Sequence, residues 1–298
     1  MFNRRMFLAA TTSVMALLPL AAAAQDKLPV VATFSILGDI VAEVGGDRVS
    51  VTTLVGPDGD AHVYEPTPAD AQALSEAAVL FTNGLGFEGW IDRLIESSEY
   101  KGLIVVASTG VTPRSFEEGE EAGVTDPHAW QSLANGRLYV GNVTAGLIAA
   151  DPAGADVYTA NSTAYLAELD AVEAELIAAI AALPEANRVI VTSHDAFGYF
   201  GQTYGMRFLA PEGISTEAEA SATDVAKLIT QIKAENIPAV FMENITNSRL
   251  LEQITSETSA KIGGTLFSDA LSPADGPAST YLDMMRHNIT TLTAALGS

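Results

Sequence analysis

The sequence predicts an α/β fold made of two α/β lobes with mainly parallel sheets, joined by one long spine helix. Both halves of the chain alternate short apolar runs with stretches of helical spacing, which is typical of parallel α/β sheets. Between them, residues 155–183 keep a helical pattern without glycine or proline. At about 1.5 Å per residue this helix would span roughly 44 Å. We therefore assign 25–154 to an N-terminal lobe, 155–183 to the linking helix and 184–298 to a C-terminal lobe.

The first half contains four apolar runs of strand length, at residues 30–34, 49–55, 78–82 and 103–107. A helix after the first strand is predicted because five apolar residues recur at helical spacing: Ile36, Leu37, Ile40, Val41 and Val44. The glycine pair at 45–46 should end this helix.

The second half repeats this order of elements. We place strands at residues 189–192, 206–209, 239–242 and 265–267, and helices at 223–235, 248–259 and 278–296. The helix between the lobes should bury one stripe, formed by Tyr165, Leu166, Leu169, Val172, Leu176, Ile177 and Ile180.

Residues 1–24 have the form of a cleaved export signal. Arg4 and Arg5 precede an apolar run over residues 6–20, and Ala22 and Ala24 complete a small-residue cleavage pattern. The run is shorter than the roughly 20 residues of a membrane-spanning helix. The arginine pair followed by Met, Phe and Leu resembles the twin-arginine export pattern. We expect a periplasmic protein.

Charge and cysteine content restrict the partners of the protein. The formal net charge of −22 becomes −24 when the two arginines of the signal are removed, which argues against nucleic acid and anionic lipid as partners. The chain has no cysteine, so it can form neither a disulfide nor a thiolate metal site, and no lipid can be attached to a cysteine. We expect a monomer without a stable membrane anchor.

Three of the four histidines lie in short polar segments. His62 lies in DAHVYEP, His128 in DPHAW and His194 in SHDAFGYF. His62, His194 and Asp269 come after predicted strands, and ligands of open parallel sheets bind beyond the carboxyl ends of strands. Three imidazoles and a carboxylate suit a divalent first-row metal ion. The separations of 66, 66 and 75 residues leave open whether the four side chains converge.

Five segments together carry a resemblance to a known family: GPDGDAHVYEPTPAD, DPHAW, VTSHDAFGYF, STEAEAS and FSDALS. In this order, and over essentially the whole mature chain, they resemble the solute-binding proteins of zinc and manganese ABC importers, the cluster A-I family. The resemblance implies a metal site in the cleft between the lobes, with His62, His128, His194 and Asp269 as ligands. It also implies a binding protein and not an enzyme, with a divalent metal ion and the membrane subunit of an ABC permease as partners.

The resemblance leaves the metal ion to be decided between Zn²⁺ and Mn²⁺. Zinc members of the family often carry a histidine-rich loop where this chain has the acidic RSFEEGEEAG at residues 114–123, and manganese members commonly have glutamate in place of His194. Three nitrogen ligands favour zinc. We therefore expect Zn²⁺, with Mn²⁺ as the alternative.

Two rival functions belong to other classes. A zinc-dependent hydrolase would use three protein ligands and an open water position, but no motif supplies its general base. An adhesin on the same scaffold would need an anchor at the cell surface.

Other polar residues are given structural roles. Asp195 either orients His194 or caps the next helix. We expect ordinary hydrogen bonding from Glu65, Glu217, Glu219 and Glu243, and a surface position for His287.

Overall fold

The structure is a computed structural model that describes residues 26–115 and 123–297. The predicted export signal, residues 1–24, lies outside the described residues, as do residues 116–122 of the acidic loop.

The first half of the described chain forms a four-stranded, fully parallel sheet with helices packed on it. The strand order in the sheet is β2-β1-β3-β4. The elements are β1 (Leu28–Phe34), α1 (Ser35–Gly45), β2 (Val49–Val55), α2 (Pro68–Glu76), β3 (Val79–Thr82), α3 (Ile91–Ser97), β4 (Leu103–Val106) and α4 (Leu133–Ala150).

The second half forms another four-stranded parallel sheet with the strand order β6-β5-β7-β8, which repeats the order of the first. The long helix α5 (Ala155–Ala181) lies between the two halves. The prediction of two α/β lobes and one spine helix is thereby confirmed. The remaining elements are β5 (Val189–Val191), α6 (Gly198–Tyr204), β6 (Arg207–Leu209), α7 (Ala222–Glu235), β7 (Ala239–Glu243), α8 (Arg249–Glu257), β8 (Lys261–Leu266) and α9 (Tyr281–Leu296).

The first helix follows the predicted pattern. All five apolar residues of its stripe are fully buried, and α1 ends at Gly45. Gly46 follows with φ of +54°, a conformation that glycine adopts without the steric cost of a side chain. The two glycines therefore mark the end of the helix for a steric reason.

Strand β8 begins at Lys261, four residues earlier than predicted. The added segment contains Gly263 and Gly264, which have little intrinsic strand preference. The pairing skips a residue here, because Val240 faces Ile262 while the next residue of β7 faces Gly264. A Cβ on Gly263 would lie 2.6 Å from the ring of Phe241. The two glycines therefore allow a β-bulge and a close contact with the Phe241 ring. Hydrophobic periodicity in the sequence does not reveal either feature.

The spine helix α5 has 27 residues and is about 40 Å long. It packs against α1, α4 and α9, which belong to both halves of the chain. Ile177, which we placed on the buried stripe, is 54% exposed. Its neighbour Leu176 is fully buried, and one further residue turns the side chain by about 100° toward solvent. The buried stripe is narrower than predicted.

One hydrophobic core cluster spans both halves, and a second, smaller cluster lies within the second half. A single cluster of contacting buried residues runs from Phe34 in β1 through Trp130 to Phe200 in α6 and Tyr281 in α9. The indole Nε1 of Trp130 also donates a hydrogen bond to the carbonyl oxygen of Ser268, 2.9 Å away. The two sheets are therefore joined by packing as well as by a helix.

Asp39 is a polar contact between the halves. Its Oδ2 accepts a hydrogen bond from the backbone N–H of Tyr281 at the start of α9, 2.8 Å away. Burial raises the pKa of Asp39 from 3.8 to about 7, against the hydrogen bond from Tyr281, and the charges of Glu43 and Asp283 add to the rise. The folded protein therefore keeps a proton on this carboxyl that the unfolded chain has already lost above pH 4.

Replacing Asp39 by asparagine should remove a pH-dependent loss of stability. Because the folded-state pKa is raised, the free energy of unfolding contributed by Asp39 falls as pH rises from about 4 to about 7. The change in the free energy of unfolding that Asp39→Asn causes should therefore be more favourable at pH 8 than at pH 4, by roughly 2–4 kcal/mol. Urea unfolding at the two pH values measures this. Asp47→Asn, at a fully exposed site, is the control, and equal shifts in both variants would contradict the prediction.

Within residues 26–115 and 123–297, none of the helices combines the length and the apolar character that crossing a bilayer requires.

Candidate metal centre

The structure brings all four predicted side chains together. One ligand atom from each of His62, His128, His194 and Asp269 lies within 4.8 Å of the others. Asp269 Oδ2 is 3.1 Å from the Nε2 atoms of His62 and His194 and 3.6 Å from that of His128. The Nε2 atoms of His62 and His128 are 3.2 Å apart. Three imidazole nitrogens and one carboxylate oxygen thus surround a single point.

His62 is presented by the loop that follows β2. The backbone N–H of His62 donates to Asp60 Oδ1 over 2.9 Å, and the carbonyl of Ala61 accepts from Trp90 Nε1 over 2.8 Å. The imidazole packs edge-on against Phe87, with ring centroids 4.9 Å apart. These contacts hold a loop residue in a defined position beyond the carboxyl end of the sheet.

The far end of this loop is anchored at the start of α2. Thr67 caps the helix in a reciprocal arrangement with Asp70, and Pro68 occupies the first helical position. The hydroxyl of Tyr64 also donates to Asp70 Oδ2 over 2.8 Å. The prolines that follow His62 therefore belong to a fixed boundary between the loop and the helix.

His128 is oriented by a buried carboxylate. Asp126 Oδ1 lies 2.9 Å from His128 Nδ1 and accepts from the backbone N–H of the same histidine over 3.0 Å. Donation from Nδ1 to Asp126 makes Nε2, which faces Asp269, the nitrogen that a metal ion could use once it is deprotonated. Because Asp126 is fully buried and occupies Nδ1, only Nε2 of His128 is available to a metal ion.

His194 is held by Glu243, the last residue of β7, through hydrogen bonds to the backbone and a close ion-pair contact with the imidazole. Glu243 Oε1 accepts from the backbone N–H groups of Ser193 and His194 over 2.7 and 2.9 Å. Its Oε2 lies 2.6 Å from His194 Nδ1. The strand order places β7 beside β5, so the side chain at the end of one strand reaches the residue beyond the next.

Asp269 follows β8 and is fully buried. The preceding carbonyl, that of Ser268, accepts hydrogen bonds from Trp130 Nε1 and Gln131 Nε2 over 2.9 and 2.6 Å. Both donors lie just after His128 in the chain. The segment that carries His128 is therefore tied to the segment that carries Asp269, across the boundary between the halves.

The charges at the site favour protonated histidines when no ion is bound. Burial alone would lower the pKa of His128, but Asp269 and Asp126 outweigh it and raise the pKa to about 9. Burial likewise opposes protonation of His194, yet Glu243 and Asp269 raise its pKa well above the ordinary value.

The pKa values of the other two groups, His62 and Asp269, are lowered. Burial lowers the pKa of His62, despite the nearby carboxylate of Asp269. Burial would raise the pKa of Asp269, but the positive charges of His128 and His194 bring it well below its ordinary value. The site therefore combines an ionised carboxylate with imidazoles that must lose protons before they bind a metal ion.

Access to the four side chains is uneven. The side chains of His128, His194 and Asp269 have no exposed surface, whereas that of His62 is 5% exposed. A cavity of about 270 Å³ borders His62 and is lined in part by Phe87, Ile214 and Glu217. His62 is the member of the cluster closest to solvent.

The sequence did not identify the orienting carboxylates. The DPHAW segment places Asp126 two residues before His128, but the motif does not show that its carboxylate orients the imidazole. For Glu243 the sequence predicts ordinary hydrogen bonding, although its position at the end of a strand is a usable signal. Of the two roles offered for Asp195, the orienting one belongs to Glu243, and α6 begins at Gly198 with Phe197 as its N-cap.

The fourth histidine lies outside the cluster. His287 is half-buried in α9, where its Nε2 lies 3.1 Å from the carbonyl oxygen of Thr265 and its ring packs against Phe267. As expected, His287 is not a member of the cluster; it is half-buried and not fully exposed, because the carbonyl and the aromatic ring cover part of the imidazole.

Comparison with known proteins identifies the family. A family model described as ZnuA, zinc-uptake complex component A, periplasmic, matches residues 30–295. The manganese-binding lipoprotein MntA of Halalkalibacterium halodurans is 34% identical over 271 residues, covering 91% of this chain and 89% of the relative. The iron-binding protein YfeA of Yersinia pestis is 33% identical over 271 residues, covering 91% of this chain and 87% of the relative.

Solved structures agree with the sequence comparison. The periplasmic zinc-binding protein TroA of Treponema pallidum superposes with a TM-score of 0.86 at 32% identity, covering 91% of this chain and 99% of that structure. The matched region includes all four clustered side chains. The chain therefore belongs to the ZnuA family of periplasmic solute-binding proteins, the cluster A-I metal-binding components of ABC importers.

Proposed function

We propose that the protein captures Zn²⁺ with His62, His128, His194 and Asp269 and delivers it to the membrane subunit of an ABC permease. The observation that carries this proposal is the set of three nitrogens and one oxygen gathered around one point. Ligand atoms 2.0–2.1 Å from a tetrahedral ion are about 3.3–3.4 Å apart. The separations of 3.1–3.6 Å around Asp269 Oδ2 support such a geometry.

Mn²⁺ is the second candidate, and one feature of Asp269 favours it. Asp269 Oδ1 is buried and has no hydrogen-bond partner among the described residues. A carboxylate that used both oxygens would raise the coordination number to five, and oxygen ligands suit manganese better than zinc. We place zinc first because three of the four donor groups are imidazoles.

Membership of the family separates this function from its rivals. The family consists of substrate-binding proteins of ABC importers, so the protein is not an enzyme and the zinc-hydrolase alternative is wrong. A buried cluster of ligands also favours the capture of an ion over adhesion, which would use the outer surface.

We further propose that the ion is released by local movement. The halves share one core cluster, so a wide separation of the lobes would expose large apolar surfaces. Movement of the loop that carries His62 would open the site at its most accessible ligand. In this proposal the lobes comprise residues 25–154 and 184–298, and the helix of 155–183 joins them. Residues 1–24 direct export by the twin-arginine route.

Metal content tests the proposed ion. We expect the protein purified from its native compartment to contain one zinc ion per chain by elemental analysis. After the metal is stripped with a chelator, zinc should displace manganese and iron in competition. Retention of manganese in the presence of excess zinc would reverse the assignment in favour of the second candidate.

A further inference from the structure

The carboxylate that orients His128 is itself held by an arginine. Asp126 Oδ1 faces His128 Nδ1 at 2.9 Å, and Asp126 Oδ2 accepts from Arg114 Nη1 over 2.8 Å. Asp126 is fully buried, while the side chain of Arg114 is 30% exposed. A chain of two polar contacts thus leads from near the protein surface to an imidazole of the metal centre.

The backbone fixes the position of Arg114. Its carbonyl oxygen accepts from the backbone N–H of Asp126 over 2.8 Å, and its own N–H donates to the hydroxyl of Tyr199 over 2.9 Å. The next residues, Ser115 and Thr125, form an antiparallel bridge. Arg114 and Asp126 are therefore aligned as neighbours at the base of the acidic loop, and one of these contacts comes from α6 in the other half.

The ion pair lies directly on Gly198, the first residue of α6. A Cβ added to this glycine would overlap Arg114 Nη1 and lie 2.5 Å from Asp126 Oδ2. Helix α6 follows the segment that carries His194. The Arg114–Asp126 pair is thus confined between the base of the loop and the chain that leads from one metal-centre histidine.

We propose that Arg114 is a positioning residue for metal binding: it holds Asp126 against Gly198, so that Asp126 fixes the ring of His128 with Nε2 directed at the other ligands. This inference rests on the proposed function and extends it to a residue that does not contact the ion. Partners of metal-binding histidines commonly change metal affinity by about 10- to 100-fold when they are replaced.

Two variants disturb the pair in different ways. Arg114→Gln removes the charge and the guanidinium that donates to Asp126. Gly198→Ala keeps both charged side chains but shifts them, and alanine suits a helical position. Gly141→Ala in α4 is the matched control, because a Cβ there would have no atom within 4 Å. Zinc affinity and the rate of zinc release are measured by competition with a fluorescent chelator.

We expect Arg114→Gln and Gly198→Ala each to weaken zinc binding by about 10-fold, mainly through faster release, with wild-type affinity in Gly141→Ala. Arg114→Lys, which keeps the charge, should recover part of the loss. Arg114→Gln should have no further effect in an Asp126→Asn background, because it acts through that carboxylate. Thermal melts of the metal-free proteins verify that all variants are folded.

Wild-type affinity in both Arg114→Gln and Gly198→Ala would overturn the inference. So would an equal loss from Arg114→Gln in the wild-type and Asp126→Asn backgrounds, since the arginine would then act independently of Asp126. Failure of the wild-type protein to bind zinc would overturn the proposed function, and this inference with it.

Discussion

Replacing His194 by alanine is expected to lower zinc affinity by about 100-fold or more. The Nε2 of this side chain lies 3.1 Å from Asp269 Oδ2, and its ring is fully buried. Structural zinc sites with four ligands bind with apparent free energies of about 10–16 kcal/mol, so one ligand corresponds to about 3 kcal/mol. A loss of that size is about two orders of magnitude in the dissociation constant. Competition with a chelator of known affinity measures it.

His287→Ala is the matched control for this variant. The same side chain is removed, but His287 contacts Thr265 and Phe267 and lies outside the cluster. We expect a small loss of stability and unchanged zinc affinity. If His194→Ala retained the affinity of the wild-type protein, or if both variants lost affinity equally, the assignment of His194 as a ligand would be wrong.

Metal affinity should also fall steeply as pH decreases. The pKa of His128 is raised to about 9 and that of His194 is raised well above its ordinary value. Both rings are therefore in the positively charged imidazolium form, with a proton on each nitrogen, at neutral pH in the metal-free protein. A metal ion needs the same Nε2 atoms, so binding must release these protons. Each released proton changes the affinity about tenfold per pH unit, so two protons give about 100-fold weaker binding between pH 7 and pH 6.

The sign of this effect follows from the direction of the shifts. A histidine with a raised pKa holds its proton more firmly, so lower pH favours the metal-free state. The lowered pKa of His62 means that this ring contributes no proton at neutral pH. Titration calorimetry in two buffers with different enthalpies of ionisation counts the released protons. Affinity unchanged between pH 7.5 and pH 5 would contradict the prediction.

The sequence made the four clustered side chains predictable for two reasons. His62 comes after a strand of the first sheet, and His194 and Asp269 come after strands of the second, so each sheet presents its candidates beyond the carboxyl ends of parallel strands. His128 does not follow a strand directly, and only the DPHAW motif within the family resemblance placed it in the set. Spacing alone could not bring side chains 66 or more residues apart to one point.

The orienting residues could not be predicted in the same way. Glu243 reaches His194 only because β7 lies beside β5, and the order of strands is a property of the folded sheet. Arg114 contacts Asp126 because an antiparallel bridge joins the two sides of the acidic loop at its base, and both side chains pack against Gly198. These contacts depend on the tertiary structure, whereas the amphipathic pattern of α1 is a local property that the sequence carries directly.

The most direct test of the metal centre is anomalous diffraction at the zinc absorption edge from crystals of the zinc-loaded protein. We expect one strong peak, bonded to the Nε2 atoms of His62, His128 and His194 at about 2.0–2.1 Å and to the carboxylate of Asp269. A peak elsewhere in the protein, or an ion bound without these four side chains, would contradict the account.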